Sequence, residues 1–464
     1  MTTNKFAVLM FLALASGGFC VERPNIVLCM ADDQGWEETG YNGHPIVRTP
    51  ILDEMAAHGL RFDRFYSAAP NCGPTRGSIM TGRHPNRFGL FAPNWAMRPE
   101  EITLAAILKK AGYATGHFGK WHLGPVKAGA PNNPGNSGFD EWLSHDNFFE
   151  MNPVLVRNGA APTRHEGESS GVVVEAAMDF IARATKAGKP FFVVVWFGSP
   201  HGPYIASDSD RKPYQDRVRE ELAHRYGEIT AMDRAIGNLR NSLRKHGVSE
   251  NTLFWYCSDN GAPKNVVHQP KLNGAKGTLY EGGLRVPGII EWPAVIDKPR
   301  VSSAPAVTTD ILPTICDLLD LPLPDRKLDG VSLAPAITGK GEPVSRAIPF
   351  WRYNPGPEKK GAPWLDAALQ KGTTPTAKNP GIEFLNFKHP EARVAEFGGD
   401  AALIDDRYKL FIPRKGSVRL FDLVKDPGER ENIAKKRPDH VGRMIVHLRA
   451  WQRSEENSLT GADY

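Results

Sequence analysis

The chain has 464 residues, 41% hydrophobic and 23% charged, a composition that suits a globular protein with one large α/β core and an appendage. A net charge of +5 is small for this length and no Lys/Arg block stands out, which argues against a nucleic-acid partner and leaves acidic substrates open. The 45 glycines and 38 prolines imply many turns and shaped loops rather than a repeat or coiled coil, and five cysteines at 20, 29, 72, 257 and 316 are too few for a disulfide framework.

At the N-terminus Lys5, an apolar run over 6–15 and the small residues Ser16, Gly17 and Gly18 form the pattern of a secretory signal peptide, assigned to 1–20 with cleavage between Ala15 and Glu22. The run is too short to span a bilayer and no later segment reaches roughly 20 apolar residues, so no transmembrane segment is expected. Export to the periplasm or medium follows, and Phe19 before Cys20 makes lipoprotein anchoring the lesser alternative.

Residues 25–30 read as a buried parallel strand ending in Asp32 and Asp33. A helical stretch follows over 51–58, and Leu104, Ile107 and Leu108 mark another. A strand over 113–118 leads into Gly119-Lys120-Trp121-His122-Leu123-Gly124. Val174, Ala177, Met178 and Ile181 keep helical spacing ahead of the apolar strand 191–197, which runs into Ser199-Pro200-His201. Ile229, Met232, Ile236, Leu239 and Leu243 stripe a long helix before the strand 252–257 and Ser258-Asp259-Asn260-Gly261. This alternation predicts a large, mainly parallel sheet sandwiched by helices over 23–335. Ligands bind such sheets beyond the carboxyl ends of the strands, where each polar cluster falls. Cys29 and Cys257 lie inside strands and read as core residues, with a bridge between neighbouring strands left open. Past about Leu333 the pattern changes. Alternating segments over 401–412 and 418–423 and a helix striped by Val441, Met444, Ile445, Leu448 and Trp451 predict a smaller C-terminal subdomain, 336–464, of antiparallel strands and a helix.

Residues 72–83 read Cys-Gly-Pro-Thr-Arg-Gly-Ser-Ile-Met-Thr-Gly-Arg. If a helix starts near Pro74, Cys72 and Arg76 share a face, and Gly82 can close it. A reactive group at a helix N-terminus meets free amide donors and the positive end of the dipole, which favours an anionic substrate. The bland alternative is a buried or disulfide-bonded cysteine. Asp32/Asp33 and Asp259/Asn260 offer oxygen ligands suited to a hard divalent cation, calcium before zinc, although an isolated Asp-Asp pair more often caps a helix or turn.

The run resembles the signature of the type I, formylglycine-dependent sulfatases of the alkaline-phosphatase-like superfamily, Cys-x-Pro-Ser-Arg then Thr-Gly-Arg, with Thr75 in place of serine. The resemblance extends from Pro24 to about Pro335 through 24–33, 119–124, 199–203, 259–261, 274–277 and Glu281-Gly282-Gly283-Leu284-Arg285-Val286-Pro287, and more loosely through 420–423 and Asp426-Pro427-Gly428-Glu429. It implies that a maturation enzyme converts Cys72 to formylglycine and that Asp32, Asp33, Asp259 and Asn260 bind one calcium ion with residue 72. It also implies that Arg76 and Lys120 hold the aldehyde hydrate, while His122, His201 and Lys276 surround the sulfate.

On that reading one hydroxyl of the hydrate attacks sulfur, and His201, assisted by Lys276, protonates the leaving alcohol. His122 then takes the proton of the second hydroxyl, expelling sulfate, while the clustered positive charge stabilises the sulfuryl group. Arg83 would buttress the nucleophile helix, and His44, His84 and His117 read as structural. The expected substrate is a sulfated carbohydrate, with Asn94, Trp95, His145, Asp146, Asn147, Trp351 and Arg352 as a possible sugar-binding surface. The competing readings are a phosphonate or phosphate ester hydrolase of the same superfamily, and a non-catalytic sulfated-glycan-binding protein if Cys72 stays a thiol.

Overall fold

The computed structural model describes residues 23–342, 345–353, 361–376, 380–390 and 398–464; the expected leader over 1–20, with Cys20, lies outside the described residues. A ten-stranded sheet organises the larger part, in the order Arg300–Ser302, Leu60–Phe62, Gly288–Glu291, Thr252–Ser258, Asn25–Ala31, Phe191–Trp196, Ala114–Lys120, Glu141–His145, Val154–Arg157 and Thr163–Arg164. The five strands from Thr252–Ser258 to Glu141–His145 run parallel and antiparallel pairings flank them, so the sheet is mixed, as the helix-strand alternation implied.

Phe191–Trp196 and Thr252–Ser258 are buried at every position, the pattern of strands covered on both faces. Side chains alternate between two cores. Ile26, Leu28 and Met30 face the core that includes Ile79 and Met80 of the nucleophile helix and Ile311, Leu312 and Ile315 of the helix Ile311–Leu318. Val27, Cys29 and Ala31 face the other, where Ser169–Lys186 contributes Val173 and Ile181, and Glu220–Lys245 contributes Met232 and Leu239. The strand bridge left open for Cys29 and Cys257 is not formed. Both thiols are free, and the register that pairs Cys257 with Met30 sends them into opposite cores.

The C-terminal part has an antiparallel sheet of four strands, Ala347–Trp351, Ala401–Asp405, Tyr408–Ile412 and Arg419–Asp422, with the helix Pro438–Thr460 on one face. Its other face shares a core with Tyr66, Leu279, Leu284 and Val307 of the larger part. The small sheet is thus covered on both sides. No helix among the described residues is long and apolar enough to cross a membrane.

Candidate active site

The nucleophile helix spans Cys72–Thr81 and so opens at Cys72, two residues before Pro74. Amides of the first turn have no partner inside the helix, so a proline there costs no hydrogen bond, and Thr75 N donates to Asn71 O at 3.2 Å. Gly82 ends the helix at φ 68, a left-handed conformation that suits glycine, with its N–H on Ser78 O at 2.9 Å.

The other polar clusters arrive where strands end. Asp32 and Asp33 follow Asn25–Ala31, Lys120 closes Ala114–Lys120, and Asp259 and Asn260 follow Thr252–Ser258. Lys120 therefore belongs to its strand, which runs two residues past the expected end. Asp33 at φ 72 and His122 at φ 56 occupy the left-handed region, which non-glycine residues adopt mainly where the surroundings impose it.

Asp33 lies at the centre. Its carboxylate meets Lys276 Nζ at 2.6 and 2.7 Å, accepts from Asn260 Nδ2 at 2.8 Å, and stands 3.6 Å from His201 Nε2 and 3.9 Å from Cys72 Sγ. Its N–H donates to Asp259 Oδ1 at 3.0 Å. Arg76 donates to Asp259 Oδ2 at 2.6 Å and to Lys120 O at 3.1 Å, and lies 3.7 Å from Asp32 Oδ1; Lys120 Nζ donates to Asp32 Oδ2 at 2.7 Å. His122 is buried beside this cluster, its carbonyl against Gly73 and its ring near Phe384. All ten catalytic and metal-site residues expected from the sequence gather at the carboxyl ends of the parallel strands, eight of them buried and only His201 and Lys276 partly exposed.

The electrostatics follow from burying so many charges together. Burial alone would raise Asp33, but Lys276, His201 and Lys120 hold it below the carboxylate range. Burial and the neighbouring Asp32 push Asp259 up to about 6 against the pull of Arg76. Burial would lower Lys276, and Asp33 outweighs it, so the ammonium stays charged. Burial takes His201 down to about 3 despite Asp33, and takes His122 well below its usual value with Lys120 and Arg76 adding to the effect. Burial pushes the Cys72 thiol up to about 12, so as a thiol it is a poor nucleophile at neutral pH.

Asp32, Asp33, Cys72 and His201 each present a ligand atom, all within 4.8 Å of one another. Asp32 Oδ1 and Asn260 Oδ1 are buried without a hydrogen-bond partner among the described residues. Asn260 spends its Nδ2 on Asp33 and Gly261 O, which leaves its oxygen as the group without a partner. Orphaned buried oxygens beside carboxylates form a donor set that fits a hard cation such as calcium.

The expected sugar surface is only partly free. Asp146 is buried and accepts from Val126 N, Thr373 N, Thr374 N and Thr374 Oγ1, and Trp95 is buried against Phe91 and Phe387. Trp351 is buried with its indole N–H on Gly398 O, and Arg352 pairs with Asp400 at 3.4 Å. Asn94 remains exposed, and Asn147 is half-buried beside the buried His145. Arg83 pairs with Glu101 at 2.9 Å behind the helix, as a buttress should.

Two residues escaped the sequence reading. Phe148 stacks on His201 with ring centroids 4.2 Å apart, while His201 Nδ1 bonds Gly202 O at 2.7 Å, which leaves Nε2 facing Asp33. Arg225 is fully buried and clamps three segments: Glu38 through paired bonds of 2.6 and 2.7 Å, and the carbonyls of Asp33 and Pro200 at 2.6 Å each. Its signal was a charge four residues before Ile229, on the apolar stripe of its helix.

A mixed α/β sheet that gathers cations around a helix-opening residue at the ends of its strands suits an enzyme acting on anionic esters. The chain matches the family described as Sulfatase over residues 24–321. It is 34% identical over 380 residues to N-acetylgalactosamine-6-sulfatase of Canis lupus familiaris, covering 71% of this chain and 68% of that protein. It is 33% identical over 389 residues to arylsulfatase A of Homo sapiens, covering 75% and 74%. Among solved structures, Ps i-CgsB in complex with k-i-k-neocarrahexaose superposes with a TM-score of 0.78 at 24% identity, over 93% of each chain, which places the fold in the alkaline-phosphatase-like class. The chain belongs to the sulfatase family, and its activity is that of a sulfatase.

Proposed function

We propose that the chain removes sulfate from a sulfated carbohydrate, using a formylglycine made from Cys72 and one calcium ion. The observation that carries this reading is the position of Cys72, the first residue of its helix, 3.9 Å from an Asp33 carboxylate held by Lys276 and Asn260. Asp32, Asp33, Asp259 and Asn260 would hold calcium beside residue 72, and the ion would supply positive charge to the sulfuryl oxygens. Formylglycine would supply a hydrated aldehyde, a nucleophile that the high-pKa thiol is not.

The remaining roles fall to the side chains present. Arg76 and Lys120 keep Asp32 and Asp259 in place and flank residue 72 with positive charge. Lys276 enters charged and His201 neutral, so the proton for the leaving alcohol comes from this pair with Lys276 as its reservoir. His122, neutral and with both ring nitrogens unpartnered among the described residues, would accept the proton of the second hydroxyl on residue 72. A carbohydrate is favoured over other sulfate esters because the relative named N-acetylgalactosamine-6-sulfatase and the neighbour bound to a neocarrahexaose both concern sugars. Residues 23–335 would form the catalytic unit and 336–464 the C-terminal subdomain, exported under the leader at 1–20.

Mass analysis of the tryptic peptide containing residue 72, from protein co-produced with a formylglycine-generating enzyme, is expected to show thiol-to-aldehyde conversion with a hydrate satellite. The converted protein should release sulfate from sulfated oligosaccharides and favour an aryl sulfate over the matched phosphate ester. An unmodified thiol, beside a known sulfatase converted in the same cells, defeats the catalytic reading and favours glycan binding.

A further inference from the structure

The segment that carries Lys276 is braced by the C-terminal sheet. Lys409, in the strand Tyr408–Ile412, is fully buried, with its ammonium 3.0 Å from Glu281 Oε1 and 2.9 Å from Glu429 Oε1. Glu281 opens the short helix Glu281–Leu284, just beyond Lys276 in the chain. Its backbone N–H donates to Glu429 Oε2 at 2.7 Å, and its second carboxylate oxygen accepts from Tyr66 OH at 3.0 Å, with Arg285 3.9 Å away. Glu429 sits at φ 53, in the Asp426-Pro427-Gly428-Glu429 turn that the sequence singles out and the chemistry above leaves without a role.

The short helix reaches the site through backbone contacts that leave no slack. Gly261 N, next to Asn260, donates to Gly283 O at 3.0 Å, and Lys276 N donates to Ala262 O at 2.8 Å. A Cβ on Gly283 would lie 2.2 Å from Thr278 O and 2.5 Å from Ala275 O, so the helix rests directly on the turn that holds Lys276. A shift of Glu281 is therefore passed to Lys276 on one side and Asn260 on the other.

Stability alone does not account for this triad. Replacing buried ions by apolar groups of similar size is often neutral or stabilising, so a buried Lys-Glu-Glu set inside an apolar cluster suggests a demand for fixed geometry. We propose that Lys409 and Glu429 are positioning residues for Lys276: by holding Glu281 they set the 275–283 segment, and the C-terminal sheet completes the sulfate-holding face of the site. The proposal rests on the reading of Lys276 as a sulfate-holding residue.

The test is a double-mutant cycle on matured enzyme with a small aryl sulfate, combining Glu429→Ala or Glu429→Gln with Lys276→Ala. Glu429→Ala should raise KM and lower kcat/KM by roughly tenfold in the wild-type background, within the coupling seen between residues of one network, and by less than about twofold in the Lys276→Ala background. Glu429→Gln, which keeps an oxygen for the Glu281 N–H, should recover most of the loss. Should Glu429→Ala fail to fold, hydrogen exchange on Glu429→Asp, too short to keep both the Glu281 N–H and Lys409, decides, with faster exchange expected over 273–284 and little change elsewhere. Equal losses in both backgrounds, or exchange that rises uniformly, would overturn the proposal. If Lys276→Ala by itself leaves kcat/KM unchanged, the assignment of Lys276 to sulfate fails first and the proposal falls with it; the first two failures leave that assignment standing.

Discussion

Replacing Arg225 with methionine should be among the most damaging single changes outside the ten residues of the site. The guanidinium makes paired bonds to Glu38 and single bonds to the carbonyls of Asp33 and Pro200, all in the absence of solvent. Removing one partner of a buried ion pair costs about 3–5 kcal/mol, because the carboxylate of Glu38 is left uncompensated. Each carbonyl that loses its donor adds about 1–3 kcal/mol. These terms share one side chain and overlap, so about 5 kcal/mol in total is expected, above what most substitutions cost and comparable to much of the stability of an ordinary domain.

The double variant Glu38→Gln/Arg225→Met removes the stranded charge, keeps an oxygen for the Gly35 N–H that Glu38 accepts at 2.9 Å, and should restore roughly half of that loss, leaving the two carbonyl terms. Urea unfolding followed by tryptophan fluorescence gives the stabilities. The kinetics should be run at a temperature where the single variant is still folded. There kcat/KM should fall at least about tenfold, since the segments bearing Asp33 and His201 lose their common tie. The reasoning is refuted if Arg225→Met unfolds within about 1 kcal/mol of wild type, or if the double variant is no more stable than the single one.

Gly119→Ala should abolish soluble folded protein, because Gly119 sits at φ 111 and a Cβ there would lie 1.9 Å from Trp196 O; Gly112→Ala, at φ 92 with open space around it, should lower the melting temperature only slightly. Asp233 accepts from Ile51 N at 3.0 Å and Leu52 N at 2.9 Å, and burial pushes it up to about 7 against those bonds, with Asp53 adding and Arg240 opposing. A folded pKa above the unfolded 3.8 means that this group's contribution is complete below that value and is lost as pH rises through about 7. Urea midpoints should therefore fall over that window in wild type and fall less in Asp233→Asn. Chelator treatment of matured enzyme should abolish sulfate release, with activity restored by calcium better than by zinc. Asp259→Asn, which keeps oxygen and shape beside Arg76 and the Asp33 N–H, should lose the calcium response while keeping a wild-type circular dichroism spectrum.

What the sequence reveals and what it hides divide along physical lines. A strand buried on both faces is continuous apolar sequence, so 191–197 and 252–257 could be read directly, and the residue after such a strand lies at the crevice by topology alone. That logic located Asp32, Asp33, His201, Asp259 and Asn260 without any distance. It failed for Asp146, Trp95 and Trp351, whose burial depends on segments distant in sequence: Thr374 reaches Asp146 across 228 positions, Phe387 packs on Trp95, and the small sheet and terminal helix enclose Trp351. It also failed for Lys409. A lysine alternating with apolar residues in a strand ordinarily marks a solvent face, and here both faces of the small sheet are covered, one by the larger part and one by the terminal helix.

The hidden residues share a physical type. Arg225 and Lys409 are cations on otherwise apolar faces, each paired with a carboxylate on a segment that continues into the crevice, Glu38 beyond Asp33 and Glu281 beyond Lys276. Neither touches the reacting groups, so the motifs that identify the chemistry pass over them. Yet the site packs three carboxylates and three cations within a few ångströms, so a displacement of any segment weakens several charge pairs at once. A site so dense in charge needs rigid support, and the buried cations supply it through directional bonds that apolar packing cannot match. Substitutions that look conservative by motif, such as Arg225→Lys or Lys409→Arg, should therefore impair sulfate release while leaving all ten crevice residues intact.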